Sequence, residues 1–502
     1  MKSKLTFRER STFLTILSSF IPSILIMFLG AIKTKYIITF LGSNANGIYQ
    51  LMLHLSSFVV FGNLGLGSLF KIAYYKSVSC NDKKKTTEIY NYSNKFFKET
   101  TLIMIFVSVV ISIIAIFFID SQMTKLQIIF LQFLVCAPNI LDFYIGKDVT
   151  LLCARQREYV FLATYNIIYI IRLIISLVII KSGGSLFFFL SIDMILTSIS
   201  YIAIEFIVKK DNANDLCETN SIDNTPMKFS KYLIPNKISK VIFANIDTLL
   251  ISKLISNTAV SIFTSYVFVT NCLVSLESYV IGSLMNPLGN LFYSYDTYKK
   301  SVTEKVILMS TFIFVVMCVP LTIGMKDFVS KIWIRNNEYL LDKTTYVLLC
   351  LYYLLNSLRL LSNLFEDSIG SYKETYIINI IQTLGNIFLS IILCEMMGIG
   401  GIILATLIIL APFEILKIRK SLNLVKVNFN IKYLVVFVVL SFMEVLISTN
   451  IMNYININSL LEWFIYMFII VILSLIINIF IFIVIYKDFK IILIDLKRKF
   501  IK

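Results

Sequence analysis

Four basic residues stand inside long apolar stretches of the chain: Lys33, Lys35, Arg172 and Arg359. An uncompensated charge is costly in such surroundings, so residues of this kind mark candidate functional sites. Lysine and arginine bind anions, and the planar guanidinium of arginine can hold two oxygens of one phosphate or carboxylate. The four residues therefore predict a cationic site for an anionic ligand, although Lys35 could instead reach the surface through its long side chain.

Three acidic residues occur in the same kind of surroundings: Asp142, Asp247 and Glu277. A carboxylate in an apolar medium can exchange a proton or a sodium ion, which would couple the site to an ion gradient. Helix counting places Asp247 and Glu277 at matched depth. Two structural interpretations stay open: Arg172 pairs with Asp142 in a helical hairpin, and Arg359 pairs with Asp247 or Glu277.

The sequence lacks the motifs of common catalytic and metal sites. It contains no phosphate loop of the form GxxxxGKS or GxxxxGKT, which argues against an ATP-driven exporter. Its eight cysteines are scattered without a CxxC pair, so neither a zinc site nor a disulfide framework is predicted. We expect a protein that is not an enzyme, with no catalytic residue, no metal and no cofactor apart from coupling H⁺ or Na⁺.

The elements that must position these residues are apolar helices. The chain has 502 residues, of which 58% are hydrophobic and only 15% are charged, and its mean hydropathy is +0.83. Apolar runs of about 20 residues recur from end to end, the length a helix needs to cross a bilayer core of roughly 30 Å. The alternating segments of a membrane β-barrel are absent. These features predict an all-α polytopic membrane protein.

Following the apolar runs along the chain gives about 14 candidate transmembrane helices. They lie near residues 12–41, 47–70, 99–119, 124–153, 158–180, 186–208, 233–255, 260–292, 306–325, 344–370, 375–395, 399–416, 433–449 and 461–486. A core of twelve helices with a terminal appendage would give a similar pattern, so the choice between 12 and 14 spans stays open.

The basic residues predict how the chain lies in the membrane. If the N-terminus is cytoplasmic, basic residues in the inner loops and tails outnumber those in the outer loops by about six to one, as the positive-inside rule requires. Both termini are then cytoplasmic, and the net charge of +16 belongs to loops that face anionic lipid. No basic segment lies on a soluble domain, so we expect no nucleic-acid partner.

A weak internal repeat relates the two halves of the chain. LGSNANGIYQ (41–50) aligns with ISNTAVSIFT (255–264) at an offset of 214 positions, and each stretch joins the first two helices of a block of six. An even number of spans per block makes the repeats parallel. The predicted organisation is a six-helix lobe at 1–208, a cytoplasmic linker at 209–232, a second six-helix lobe at 233–420, helices 13 and 14 at 421–486, and a basic amphipathic cytoplasmic tail at 487–502.

The stretches LGSNANGIYQL (41–51) and FGNLGLGSLF (61–70), with the 6+6+2 helix count and the central inner loop, resemble the Wzx-type flippases of O-antigen and capsular polysaccharide. These proteins belong to the multidrug/oligosaccharidyl-lipid/polysaccharide exporter (MOP) superfamily. The helix count extends the resemblance over the whole chain, whereas the sequence signal is concentrated between Leu41 and Phe70. The resemblance implies two six-helix lobes around a central cavity that opens alternately to each side.

The resemblance also implies a cargo: a short oligosaccharide on undecaprenyl diphosphate, moved from the cytoplasmic to the periplasmic leaflet of the bacterial inner membrane. A diphosphate cannot cross hydrocarbon unaided, so the four cations would line the cavity and the three acids would serve ion coupling. The expected partners are this lipid-linked oligosaccharide, membrane lipids, a polysaccharide polymerase and a chain-length regulator. The protein itself is expected to be a monomer.

Other functions are compatible with an apolar helical chain. A drug or cation antiporter of the same superfamily is the main rival, but it would favour an acidic cavity, whereas Lys33, Arg172 and Arg359 favour an anion. A peptidoglycan-precursor lipid flippase shares the expected chemistry. A polysaccharide polymerase would usually have a large external loop, and the longest outer loop here, near 326–343, is short. The sugars of the cargo and the coupling ion cannot be read from the residues.

Overall fold

The computed structural model describes residues 7–59, 70, 73–74, 77–78, 82–155, 157–212, 216–217, 221–222, 230–282, 284–293, 299–427, 432–452, 457, 459–486 and 489. Within these ranges every regular element is a helix, so the all-α prediction is confirmed. FGNLGLGSLF apart from Phe70, much of the predicted linker at 209–232, and the predicted tail at 487–502 apart from Phe489 lie outside the described residues.

Most of the described helices follow the predicted spans, although the third begins at Lys83, well before the predicted start at 99. They are α1 Phe7–Tyr36, α2 Ser43–Ser57, α3 Lys83–Ile114, α4 Lys125–Ala154, α5 Glu158–Lys181, α6 Leu186–Asn212, α7 Ser230–Leu254, α8 Asn257–Gly282, α9 Met285–Tyr293, α10 Lys299–Asp327, α11 Lys343–Ile369, α12 Tyr372–Met397, α13 Ile399–Leu424, α14 Lys432–Met452 and α15 Leu460–Ile485. Short π-helical segments, Ile37–Leu41 and Phe328–Trp333, continue α1 and α10.

Twelve of the described helices are long and apolar enough to cross a membrane, which agrees with a polytopic protein. The two predicted spans outside this set correspond to α2, of which fifteen residues are described, and to α7. Lysines and an aspartate interrupt the apolar sequence of α7, and this lowers its hydropathy. Among the described residues the twelve candidate spans are thus compatible with both predicted counts, 12 and 14.

One predicted span is wrong as a single helix. The run at 260–292 forms two helices, α8 and the short α9, with a break after Gly282. Pro287 falls in the first turn of α9, and proline cannot donate the backbone hydrogen bond that would continue α8 through this point. A continuous apolar run did not reveal the break because hydropathy is insensitive to backbone hydrogen bonding.

Several helix starts are fixed by side chains that cap free backbone N–H groups. Thr124 and Gln127 form a capping box at the start of α4. The Asp342 carboxylate accepts from the Thr345 N–H at 2.9 Å at the start of α11, and Ser459 caps α15 through the Glu462 N–H. These polar caps set where the apolar helices begin.

Packing divides the chain into two compact units, residues 1–261 and 262–502. The first unit has a core that includes Leu51, Met52, Phe97 and Phe143, and the rings of Phe97 and Phe143 stack with centroids 4.7 Å apart. Helix α7, predicted to open the second lobe, packs against α2 in the first unit. Packing of one helix does not decide which sequence repeat it belongs to, so the lobe division at 209–232 stays a prediction.

Apolar and polar side chains are distributed as in a membrane protein. Large apolar residues are exposed on helix faces, such as Phe106 (70% exposed) on α3 and Met396 (76%) on α12. Polar side chains such as Gln132 and Asn386 are fully buried. Because lipid solvates apolar surface and cannot satisfy polar groups, this distribution agrees with helices that face hydrocarbon.

Candidate functional site

Lys33, near the end of α1, lies at the centre of a buried cluster in the first unit. Its Nζ is 2.7 Å from Oδ2 of Asp193 on α6 and donates to the Tyr49 hydroxyl at 3.1 Å. The ammonium also lies over the rings of Tyr49 and Phe189. Lys33 is 5% exposed, so the charge is held by an ion pair, a hydroxyl and two aromatic faces.

Arg172, on α5, is the second cation of this cluster and is 9% exposed. Its guanidinium donates to the Thr197 hydroxyl and lies 4.3 Å from the centre of the Tyr169 ring. Its Nε has no hydrogen-bond partner within the part of the chain that the structure describes. Asp193 lies nearby, but its carboxylate accepts from Lys33 and Ser176. Within the described ranges Arg172 therefore forms no ion pair, and it shares the neighbouring Asp193 with Lys33.

A cavity of about 190 Å³ adjoins Arg172, and we call it the tyrosine pocket. Helices α2, α4, α5 and α6 supply its walls. Its lining residues are Tyr49, Leu53, Ser56, Val135, Pro138, Asn139, Tyr165, Tyr169, Arg172, Met194, Thr197, Ser200, Tyr201 and Ile204. Arg172 is the one charged side chain among these described lining residues.

Helical spacing explains why these residues meet. Tyr165, Tyr169 and Arg172 occupy positions i, i+4 and i+7 of α5, and Thr197 and Tyr201 occupy i and i+4 of α6. Residues at these intervals share one face of a helix. Because α5 and α6 pack against each other, the two polar faces come together.

Asp142 lies on α4 beside Tyr201 and does not form an ion pair with Arg172 among the described residues. The proposed Asp142–Arg172 pair is therefore wrong, because Arg172 turns its donors to Thr197 and its face to Tyr169. Hairpin geometry gave the two residues similar depths but could not give the direction of their side chains.

The remaining predicted residues are spread over both units. Lys35 is half-buried in the last turn of α1, and Asp247 is buried in α7. Glu277, on α8 in the second unit, accepts hydrogen bonds from Tyr353 and from Ser357, the latter at 2.7 Å. Its described partners are thus hydroxyls of α11 and not Arg359, which is half-buried on the same helix.

Sequence reasoning missed Asp193, although it stands in the apolar stretch LFFFLSIDMIL like the acids that were found. It also missed a fully buried pair on α13, in which Lys417 Nζ lies 2.6 Å from Glu414 Oε1 and 3.0 Å from Asn379 Oδ1. The predicted span at 399–416 ends one residue before Lys417. The i, i+3 spacing of the two charges was the available signal.

A further missed network joins α3, α4 and α6. Lys147 Nζ lies 3.3 Å from Asp148 and 3.7 Å from Glu205, and Asp148 accepts from the Tyr90 hydroxyl at 2.6 Å. The network as described holds one cation and two carboxylates, so it offers no free positive charge to an anion. Within the described residues no group of three or more His, Cys, Asp or Glu side chains is arranged to hold a metal ion.

Comparisons with known proteins place this geometry in a known fold. No family model and no curated protein sequence matches the chain. The structure is similar to that of lipid II flippase MurJ in an inward closed conformation, with a TM-score of 0.66 and 17% identity over 93% of this chain and 98% of that one.

The fold is also similar to that of an outward-facing multidrug resistance MATE family transporter of the MOP superfamily, with a TM-score of 0.59 and 13% identity over 84% of this chain and 98% of that chain. A MOP superfamily transporter from Pyrococcus furiosus gives a TM-score of 0.54 and 12% identity over 84% and 99% of the two chains. The chain therefore shares the multi-helix fold of these MurJ and MATE structures.

Proposed function

We propose that this protein is a flippase that moves an undecaprenyl-diphosphate-linked oligosaccharide, an O-antigen or capsular repeat unit, from the cytoplasmic to the outer leaflet by alternating access. The main support is Arg172, a buried cation of the first unit whose neighbouring acid, Asp193, accepts from Lys33 and Ser176. A buried guanidinium that lines a cavity suits an anionic ligand. The likeness to a lipid II flippase supports a lipid cargo.

The proposed anion contacts are the four cations found in the sequence. A diphosphate in a low-dielectric, partly hydrated space gains charge-assisted hydrogen bonds worth about 1.5–3 kcal/mol each. Arg359 offers a bidentate fork to the diphosphate, Arg172 offers one to a second anionic group of the cargo, and Lys33 and Lys35 add positive potential. Since Lys33 already holds Asp193, its share in this proposal is electrostatic and not a direct contact.

The proposal includes ion coupling by H⁺ or Na⁺ through the acids Asp142, Asp247 and Glu277. Glu277 is the best candidate, because both carboxylate oxygens accept from hydroxyls and no basic side chain pairs with it among the described residues. A buried carboxylate without a cation favours binding a proton or a metal cation. No catalytic step and no other cofactor is needed.

The proposal also covers the oligomeric state, the location and the partners of the protein. The protein would be a monomer in the bacterial inner membrane with both termini cytoplasmic, as the distribution of basic residues suggests. A polysaccharide polymerase and a chain-length regulator would act on the cargo after it crosses. Membrane lipids would solvate the exposed apolar faces of the helices.

A drug or cation antiporter is the second candidate. The observation that favours it is Glu277, a buried acid of the kind that would bind a cationic cargo, together with the MATE likenesses. A peptidoglycan-precursor lipid would carry the same diphosphate as an oligosaccharide repeat unit, so that alternative differs from the proposal in the group that the diphosphate links to the lipid.

A deletion strain tests the proposal. Cells that lack the protein should still build the lipid-linked oligosaccharide, detected by mass spectrometry of lipid extracts, but should not display the finished polymer. The wild-type chain should restore display, and so should Arg157→Gln, which removes a half-exposed arginine at the start of α5. Arg172→Gln should not restore display at equal protein abundance.

Two results would contradict the flippase proposal. One is absence of the lipid-linked oligosaccharide itself because a sugar-transfer step has failed, which would indicate an enzyme. The other is normal display in the deletion strain together with raised sensitivity to cationic drugs, which would favour the antiporter.

A further inference from the structure

We propose that the tyrosine pocket binds one sugar ring of the cargo, and that this sugar carries a carboxylate which Arg172 recognises. The pocket residues that matter most are Tyr49, Tyr165, Tyr169, Tyr201, Asn139 and Arg172. The inference rests on the proposed function, because it names the part of an oligosaccharide cargo that selects this protein.

The size of the pocket favours a single ring. Its volume of about 190 Å³ is below the roughly 300–1,000 Å³ of sites that enclose drug-sized ligands. A complete repeat unit or a lipid tail would not fit, whereas one pyranose ring would. The rest of the cargo would then lie outside this pocket.

The walls favour a sugar over other small ligands. Tyr165 and Tyr169 have nearly parallel rings with centroids 5.7 Å apart, and Tyr201 lies 6.0 Å from Tyr165 at an interplanar angle of 54°. Such a wall offers apolar ring faces to the C–H side of a pyranose, and phenol hydroxyls to its polar edge. A largely aromatic site with a few fixed polar groups is the usual composition of a small-molecule pocket.

Arg172 supplies the charge that distinguishes one sugar from another. Its guanidinium is fixed by Thr197 and by the Tyr169 ring, which leaves the Nε–H as a buried donor without a described partner. The guanidinium also lines the pocket, so a carboxylate bound there would form a charge-assisted pair with Arg172. Since Arg172 is the one charged residue among the described lining residues, the pocket itself does not supply that carboxylate.

Asn139 adds an orienting group. Its side-chain amide donates to the carbonyl oxygen and the hydroxyl of Ser56 at 3.0 and 3.1 Å, so its orientation is fixed. The Asn139 Oδ1 is then available to accept from a sugar hydroxyl. The sugar ring would then be surrounded by a guanidinium, a fixed amide and tyrosine hydroxyls. Each of these groups would contact a different substituent of the sugar.

The diphosphate of the cargo fits this pocket less well than an acidic sugar. A diphosphate has several negative charges and no apolar face, whereas the pocket has one cation and four tyrosines. The aromatic walls would desolvate the diphosphate without replacing its lost hydrogen bonds. A ring with one carboxylate matches both the single charge and the apolar surface.

Binding of three small probes to the purified full-length protein tests the assignment. The probes are methyl β-D-glucuronide, its neutral analogue methyl β-D-glucoside, and inorganic pyrophosphate, each titrated by ligand-observed NMR with protein in lipid nanodiscs. The glucuronide should bind at least about tenfold more tightly than the glucoside, since one charge-assisted hydrogen bond separates them. Arg172→Gln should abolish this difference, and Arg157→Gln, which lies outside the pocket, should preserve it.

A second pair of variants keeps the test decisive if Arg172→Gln does not fold. Ser200→Trp should fill the pocket and lower the affinity for both sugars, whereas Arg172→Lys should keep part of the preference for the glucuronide. Folding of each variant is checked by its elution profile and thermal transition. Equal binding of the two sugars, no binding of either, or glucuronide binding by Ser200→Trp at wild-type affinity would overturn the inference. Tighter, Arg172-dependent binding of pyrophosphate would also overturn it and would assign the pocket to the diphosphate.

The two proposals fail in different ways. If the deletion strain behaves as a flippase mutant but the glucuronide does not bind, the function stands and the sugar assignment falls. If the glucuronide binds through Arg172 while the deletion strain displays normal polymer, the pocket recognises an acidic sugar and the flippase proposal falls.

Discussion

The ion pair between Lys33 and Asp193 illustrates the free-energy cost of burying a charge in this protein. Both side chains are buried, and the pair is completed by the hydroxyls of Tyr49 and Ser176. Moving two charges out of water is expensive, and their mutual attraction offsets the cost only while both partners remain. Lys33 is therefore a structural residue first, whatever potential it adds to the cavity.

Substitution of Lys33 or Asp193 should mainly lower the free energy of unfolding, and any loss of transport should follow from that loss of stability. Asp193→Asn removes the counter-charge of Lys33 and should lower the free energy of unfolding by about 3–5 kcal/mol. The double variant Lys33→Met/Asp193→Leu should recover much of that loss, because no charge is then left unpaired. Thermal unfolding in detergent and protein abundance in membranes measure both effects.

The matched control is the exposed pair Lys95–Glu99 on α3, with its nitrogen and oxygen 3.9 Å apart. Lys95→Met should change stability by less than about 1 kcal/mol, since exposed pairs contribute little. If Asp193→Asn were as stable as Lys95→Met, the pair could not be the structural element described.

Glu277 leads to a prediction about coupling. Its two carboxylate oxygens accept from Tyr353 and Ser357, and Glu277→Gln would replace one acceptor with a donor and remove the site for H⁺ or Na⁺. Transport by this variant in proteoliposomes should lose its dependence on an imposed pH or sodium gradient. Tyr353→Phe, which keeps the carboxylate, should preserve the dependence with reduced rate. Undiminished gradient dependence in Glu277→Gln would exclude Glu277 as the coupling residue.

At the residue scale, the sequence predicted which side chains are charged inside the helices but not their partners. Arg172 was expected near Asp142, and the structure instead gives it Thr197 and Tyr169. Spacing along one helix is encoded locally, as in the series Tyr165, Tyr169, Arg172. The choice between two acids on neighbouring helices depends on helix rotation, which local sequence does not determine.

At the scale of elements, the two repeat-related stretches LGSNANGIYQ and ISNTAVSIFT contact each other within the first unit. The Asn46 amide donates to the Ser261 hydroxyl at 2.7 Å. A Cβ added at Gly47 would lie 1.7 Å from the carbonyl oxygen of Asn257, so the backbones touch at this point. Glycine is required here by close approach of α2 to α8, beyond its use in the turn that the sequence suggested.

Gly47→Ala should therefore disrupt this contact. Backbone atoms cannot move aside as a flexible side chain can, so the substitution should cost at least the 1–3 kcal/mol typical of overpacking, about the same as a buried methylene forced into a full core. Thermal unfolding of the purified protein measures the loss. Gly282→Ala is the control, because a Cβ there meets nothing within 4 Å. Equal stability of the two variants would show that the contact does not hold α2 and α8 together.

Element boundaries were predictable where a change of polarity accompanied them. Helices α4, α5 and α12 begin and end within a few residues of the predicted spans. Helix α13 runs on to Leu424, well past the predicted end at 416, because Lys417 is neutralised by Glu414 inside the protein. A lysine that forms a buried ion pair need not lie at the membrane surface. The ion pair itself is known only from the structure.

At the scale of the whole molecule, hydropathy was sufficient to predict an all-α polytopic protein because lipid imposes the same rule on every helix. Exposed apolar residues recur on both units, for example on α3 and α15. Hydropathy does not predict the proposed cargo. A fold shared with MurJ and MATE structures does not determine it either, because proteins of one fold can bind different ligands. If the pocket proposal above is correct, specificity depends on a few side chains in one pocket, which a whole-chain pattern does not record.

The orientation of the chain in the membrane gives the last prediction. The basic residues predict that the stretch 41–50 lies outside and the 209–232 linker lies inside, because the translocated loops are poor in lysine and arginine. In the structure Asn44 is exposed in the first turn of α2, and Cys217 is an exposed native cysteine in the linker. In a background where the other cysteines are replaced, Asn44→Cys should react with a membrane-impermeant maleimide in intact cells. A protein with Cys217 as its sole cysteine should react only after the cells are opened, so each variant serves as the control for the other.

The reverse labelling pattern would contradict this orientation and place both termini outside. A flippase working from the cytoplasmic leaflet would then have to take its cargo from the other end of the helices.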